Sequence, residues 1–179
     1  FMGSAAAVPL CSLSDAAAGT CASASKVGTV DVSVGQFGKS LALEGELFLT
    51  AGAGGDIAGM SIKLPAEAGP YTLGNYTTQG RIVVRTADHG IDAFFAEVPR
   101  MYKGVPTHIQ SMKVKMDGVA QSGKPFLFNS STGSAQQIQT TLTPFSGAPA
   151  TLGNAYAATN CPARTFSPSM SFQATSPGD

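Results

Sequence analysis

The chain has 179 residues, 43% of them hydrophobic and only 12% charged, with eleven acidic residues balancing eleven basic ones. That length and apolar content suit one globular domain and exclude a disordered chain. Zero net charge leaves no basic footprint for nucleic acid and no polybasic patch for anionic lipid. No uncharged apolar run approaches the ~20 residues of a spanning helix, so membrane insertion is not expected.

In chain order, Phe1 to Leu10 carries neither a basic n-region nor a long apolar h-region. Export would therefore require a leader already removed, or a chain that is a piece of something longer. The tail Ala174-Thr175-Ser176-Pro177-Gly178-Asp179 reads as a linker cut midway. Ser12 or Ser14 is placed to cap one or two helical turns through Asp15-Ala16-Ala17-Ala18, with Gly19 as the stop.

From there on the period is two. Val30, Val32 and Val34 share one face, and Leu41, Leu43, Leu47 and Leu49 share another, opposite Glu44 and Glu46. Met60, Ile62 and Leu64 alternate with Ser61 and Lys63, and strands are expected at 81–85 and 91–98. Met112, Val114 and Met116 alternate with Lys113 and Lys115, Ile138, Thr140 and Leu142 with their polar neighbours, and Met170, Phe172 and Ala174 close the set. Turn residues separate these runs at 36–39, 51–56, 67–70 and 88–90. Strict alternation means one buried and one wet face, as in antiparallel sheets. The predicted fold is an all-β, immunoglobulin-like antiparallel sandwich of about 8–11 strands with one short helical turn near the N-terminus. It is read as a single module over residues 1–179, with 119–125 as the one linker-like internal stretch.

Cys11 and Cys21 flank the helical turn, and Cys161 stands 140 residues further on. A Cys11–Cys21 bridge would tie the turn to the root of the first strand and contribute about 3 kcal/mol by loop closure. The alternative is a pair of reduced structural thiols. The spacing fits no zinc pattern, and with two histidines in the chain no metal or other cofactor is expected. Cys161 is either a buried inert thiol or the survivor of a pair.

A resemblance runs through most of the chain. Val8-Pro9-Leu10-Cys11, the Ala-Gly-Thr-Cys21 step and Lys26-Val27-Gly28-Thr29-Val30 open it. Lys63-Leu64-Pro65-Ala66 with Gly69-Pro70-Tyr71-Thr72-Leu73-Gly74, then Val98-Pro99 with Gly104-Val105-Pro106, continue it, and Phe126 to Asn129, Asn160-Cys161 and Phe166-Ser167-Pro168 end it. These blocks resemble repeat modules of large, secreted, functionally uncharacterised β-rich surface proteins of actinobacteria. In that family the block after Phe-x-x-Asn runs Asn-Pro-Thr-Ser-Cys, and its cysteine is placed to pair with the one near the end. Here Gly133 occupies the cysteine's place. The resemblance therefore implies a missing second bridge and Cys161 as a free thiol. It brings no activity with it.

Side chains that invite chemistry have simpler readings. Gly52-Ala53-Gly54-Gly55 lacks the Gly-Lys-Ser/Thr ending of a phosphate loop and precedes no helix. Asp88 and His89 are adjacent, without a Gly-x-Ser-x-Gly elbow, and read as turn polarity. Glu44 and Glu46 lie on one strand face, whereas glycosidase pairs oppose each other across a cleft about 5–10 Å wide. Asp15, Asp31 and Asp56 are too scattered for a calcium loop, and His108 stands alone at a strand start. The sequons at Asn75 and Asn129 are near chance in this composition.

No catalytic residue is assigned, and the protein is not expected to be an enzyme. The expected role is a non-catalytic structural or adhesive module of a larger protein, extracellular or at the cell surface. Its partners would be neighbouring modules or identical subunits. Two alternatives remain open: a fibre subunit that assembles by strand addition, donating Ser169–Thr175, and a carbohydrate-binding module whose glycan meets Tyr71, Tyr76 and Tyr102.

Overall fold

A computed structural model describes residues 2–3, 7–36, 38–68, 70–87, 90–96, 98–128 and 134–159. The chain divides into two units, 1–128 and 129–179.

In the first unit, strand β1 (Met2–Gly3) precedes helix α1 (Leu13–Ala18) and a single 3₁₀ turn at Ser23–Ser25. Then come β2 (Lys26–Gln36), β3 (Lys39–Thr50), β4 (Ala58–Ala68), β5 (Tyr71–Val84) and β6 (Ile91–Phe95). The short pair β7 (Met101–Tyr102) and β8 (Val105–Pro106) leads into β9 (His108–Met116), and β10 (Leu127–Phe128) ends the unit. Six strands form one antiparallel sheet in the order β6-β5-β4-β3-β2-β9, while β1 pairs with β10 and β7 with β8. The second unit contributes one antiparallel hairpin, β11 (Gln136–Leu142) with β12 (Ala150–Tyr156). None of the helices described is long and apolar enough to cross a membrane.

The all-β antiparallel expectation holds, with the weight placed unequally: one curled six-stranded sheet accompanied by two-stranded ones. Twelve strands are present among the described residues against about 8–11 expected from periodicity. The surplus lies in β1, β7, β8 and β10, each of two residues and too short to show a period. The strand expected at 170–174 lies outside the described residues. The linker-like stretch 119–125 is a turn within the first unit: Val119 bridges Pro125, and Ala120 N–H donates to Lys124 O at 2.8 Å. Ala120 within it and Phe126 just after it are buried, and the division between the units comes at 128/129.

Alternation decides which residues make the core. Val30, Val32 and Val34 oppose Gly45, Leu43 and Leu41 on β3, and Leu47 and Leu49 oppose Ile62 and Met60 on β4. An irregularity in register between Lys26 and Gly28 buries Val27 together with this set. At this end of the sheet Val8, Ala120 and Phe126 complete the core, and Ser122 Oγ donates to Ala7 O at 3.0 Å.

The opposite face of β3–β5 is covered by α1. Ser12 caps the helix, its Oγ accepting from Asp15 N–H at 3.1 Å, and Gly19 ends it at φ 70°. Thr77 Oγ1 donates to Ala17 O at 3.1 Å and Gln79 Nε2 to Leu13 O at 3.2 Å, fixing the helix on β5. Cys11 and Cys21 form a disulfide, S–S 2.01 Å. Cys11 also exchanges backbone hydrogen bonds with the end of β3, donating to Leu49 O at 3.0 Å and accepting from Ala51 N–H at 2.9 Å. The bridge thus fastens the N-terminal turn to the end of β3 as well as to the segment leading into β2. On this face Phe48, Thr50 and Ser61 are buried.

Candidate functional site

The curled face holds a cavity of ≈ 90 Å³, to which all six strands of the sheet contribute. Val32 and Val34 of β2, Leu43 of β3, Ile62 and Leu64 of β4 and Ile109 of β9 make much of its wall. The β7–β8 hairpin covers it through Tyr102 and Val105, and the segment leading into the hairpin through Val98 and Pro99. The cavity is apolar because the alternation that builds the core continues beyond the part of the sheet that Val8, Ala120 and Phe126 seal.

The hairpin is tied down by specific bonds. Lys103 and Gly104 both have positive φ, 48° and 82°, the signature of a tight two-residue turn. A lysine in that region is uncommon, and here it is held by its own side chain. Lys103 Nζ donates to Leu73 O at 2.7 Å, and the neighbouring Tyr102 hydroxyl donates to Asn75 O at 2.8 Å, both on β5. Thr107 N–H donates to Arg100 O at 2.8 Å, and its hydroxyl donates to Pro99 O.

Two aromatic rings and one cation meet there. Tyr76 of β5 and Tyr102 pack edge to face with centroids 5.4 Å apart, and Lys103 Nζ stands 5.6 Å from the Tyr102 centroid. Burial pushes the Tyr76 phenol above its ordinary value; a hydrogen bond with Thr78 opposes this, and Tyr102 adds to it. Tyr76 and Thr78 both line the cavity, so the site has a polar edge on β5 and a hydrocarbon interior.

The other residues singled out in the sequence do not converge. Of the expected glycan contacts, Tyr76 and Tyr102 meet each other, whereas Tyr71 is 70% exposed. Glu46 is held by Lys26 at 3.0 Å and Lys63 at 3.9 Å, while Glu44 is exposed. Asp56, at the end of the glycine-rich loop, receives two hydrogen bonds from Arg81 at 3.0 and 2.8 Å, and this raises the Arg81 pKa. Asp15 accepts from Ser12 within the helix cap, and His108 pairs with Gly35 in the sheet. Among the described residues no three His, Cys, Asp or Glu side chains are grouped to hold a metal ion. Asp88, His89, Asn129, Gly133 and Cys161 lie outside the described residues.

Sequence reasoning missed Lys103 and the Tyr76–Tyr102 contact. The signal available was Tyr102-Lys103-Gly104-Val105, a glycine-containing turn between two short apolar pairs. Comparison with protein-family models, with curated proteins and with solved structures finds no match to this chain.

Proposed function

We propose that this chain is a non-catalytic extracellular module of a larger secreted surface protein, with a structural or adhesive role exercised through neighbouring modules or identical subunits. The observation that carries the reading is the Cys11–Cys21 bridge, which pins α1 across the outer face of the sheet. Structural disulfides persist in oxidising compartments and are rare in the cytosol. The engagement of Glu46, Asp56 and Asp92 with Lys26, Arg81 and Arg85 is consistent with this, since it uses carboxylates as struts. The test is surface labelling of intact cells with an impermeant amine reagent, followed by intact mass before and after reduction. Labelled protein that gains two hydrogens on reduction supports the reading, and protein protected until lysis overturns it.

Assembly by strand addition is the second reading, favoured by β9. This nine-residue strand ends the sheet among the described residues, and its inward Met112, Val114 and Met116 are 40–45% exposed. A free edge of this kind accepts a neighbour's strand, although the alternating Lys113 and Lys115 are a common guard against it. Size-exclusion chromatography and negative-stain microscopy decide: fibres or ladders of oligomers support the idea, and a clean monomer at high concentration removes it.

A further inference from the structure

The cavity beneath the β7–β8 hairpin has the chemistry of a binding site for one kind of small molecule. Its interior is hydrocarbon, and two of the hydroxyls at its wall are already committed as donors, Tyr102 to Asn75 O and Thr107 to Pro99 O. A ligand polar along its length would lose its water against the hydrocarbon wall and could recover hydrogen bonds only at the β5 edge. At ≈ 90 Å³ the space is smaller than the roughly 150 Å³ apolar cavity known to accept benzene, so it takes a thin chain of only a few methylenes rather than a ring.

The rim supplies the second half of the specification. Lys103 is held at φ 48° with its ammonium against the carbonyl of Leu73, and Leu73 itself lines the cavity. An ammonium has three N–H donors, and among the described residues this one makes a single hydrogen bond. Among the described residues no carboxylate lies within ion-pair distance of it. The one formally charged side chain in the lining is Glu67, which is exposed. We propose that the cavity binds a single unbranched aliphatic chain carrying an anionic head group, the chain lying against Ile62 and Leu64 and the head group held by Lys103 at the rim. This goes beyond the structural role proposed above and does not depend on it.

The experiment uses the full oxidised chain and sodium pentanoate. The protein has four tyrosines and no tryptophan, so tyrosine emission, to which Tyr76 and Tyr102 contribute two of four fluorophores, detects binding, and methyl NMR locates the ligand. The expected result is saturable one-to-one binding with shifts at the methyls of Ile62 and Leu64. Lys103→Met should weaken it about tenfold by removing a charge-assisted hydrogen bond. Glu67→Gln, an exposed substitution that leaves the core untouched, should tighten it, because a nearby carboxylate repels an anionic head. Pentanol and benzoate should each bind more weakly than pentanoate. Absence of saturable binding, or shifts confined to methyls away from Ile62 and Leu64, overturns the site. Equal affinity of Lys103→Met and the native protein, or of pentanol and pentanoate, overturns the head-group assignment. Benzoate binding as tightly as pentanoate overturns the preference for a chain.

Discussion

The two ends of the curled sheet share one pattern and reach different outcomes. At one end Val27, Leu47, Leu49 and Met60 are sealed by Val8, Ala120 and Phe126, and Leu47 is only 1% exposed. At the other end Val34, Leu43 and Leu64 alternate just as regularly, yet they face a cavity under a hairpin of two short strands. The difference lies in what arrives from elsewhere in the chain. The closed end receives the segment ahead of α1, which the Cys11 bridge and its backbone bonds anchor, and the turn at 119–125. The open end receives only β7–β8, held by hydrogen bonds to Leu73 and Asn75. Alternation specifies a buried face, but the covering segments decide whether that face becomes core or cavity.

Truncation at matched positions tests this most severely. Leu47→Ala should cost about 3–5 kcal/mol, because the sealed end cannot collapse around the void. Leu43→Ala, half-buried on the cavity wall, should cost less than about 2 kcal/mol, since the lost methyls already bordered empty space. Urea denaturation of the two variants gives the comparison, and equal losses would mean that the two ends are packed alike.

Removing the bridge comes next in size. Replacing Cys11 and Cys21 together by serine should lower stability by about 3 kcal/mol, with the loss expressed at the closed end. Hydrogen exchange should rise first at the amides of Cys11 and Ala51, which bond to Leu49 O and Cys11 O, before those of β4 and β5. Exchange that accelerates uniformly across the sheet would show that the bridge stabilises the whole unit rather than the seal.

The edge where β9 joins offers a smaller effect with a sharp location. A Cβ on Gly28 would meet the carbonyl oxygen of Lys115 at 2.1 Å, so Gly28→Ala must push β9 away from β2. The expected cost is about 1–3 kcal/mol, as for an overpacked site. Amides of β9 should lose protection ahead of those at the β3–β4 pairing, and an unchanged β9 would show that the strand accommodates the methyl by bending.

Much of this frame could be read from residue order. The valines of β2, the leucines of β3 and Met60, Ile62 and Leu64 declare their shared face by period alone, and Ser12 and Gly19 declare the helix ends. Phe48 could not be assigned, because it sits on the outward side of β3 among polar neighbours and is nevertheless buried, on the face that carries α1. The first ten residues of β5, Tyr71 to Gly80, were missed because threonine, glycine, asparagine and glutamine outnumber its apolar residues. Its polar content is used by its neighbours: Thr77 and Gln79 hold α1, while the backbone at Leu73 and Asn75 holds the hairpin. The cavity edge was illegible for a related reason. Tyr76 and Tyr102 come together only when a tight turn lays Tyr102 against β5, and no local pattern announces a contact 26 residues apart.

That aromatic edge supplies the smallest effect and a check on the open end. Burial holds the Tyr76 phenol above its ordinary value of about 10, so in the folded protein it keeps its proton to higher pH than in the unfolded chain. Between those two values the folded state binds the extra proton, and stability therefore falls as pH rises through that window, with no effect below it. Ultraviolet difference titration should show a late ionisation that Tyr76→Phe removes, and the same substitution should flatten the decline in stability above about pH 10. If Tyr76→Phe leaves the titration unchanged, Tyr76 is solvated, and the hairpin does not cover the cavity in solution.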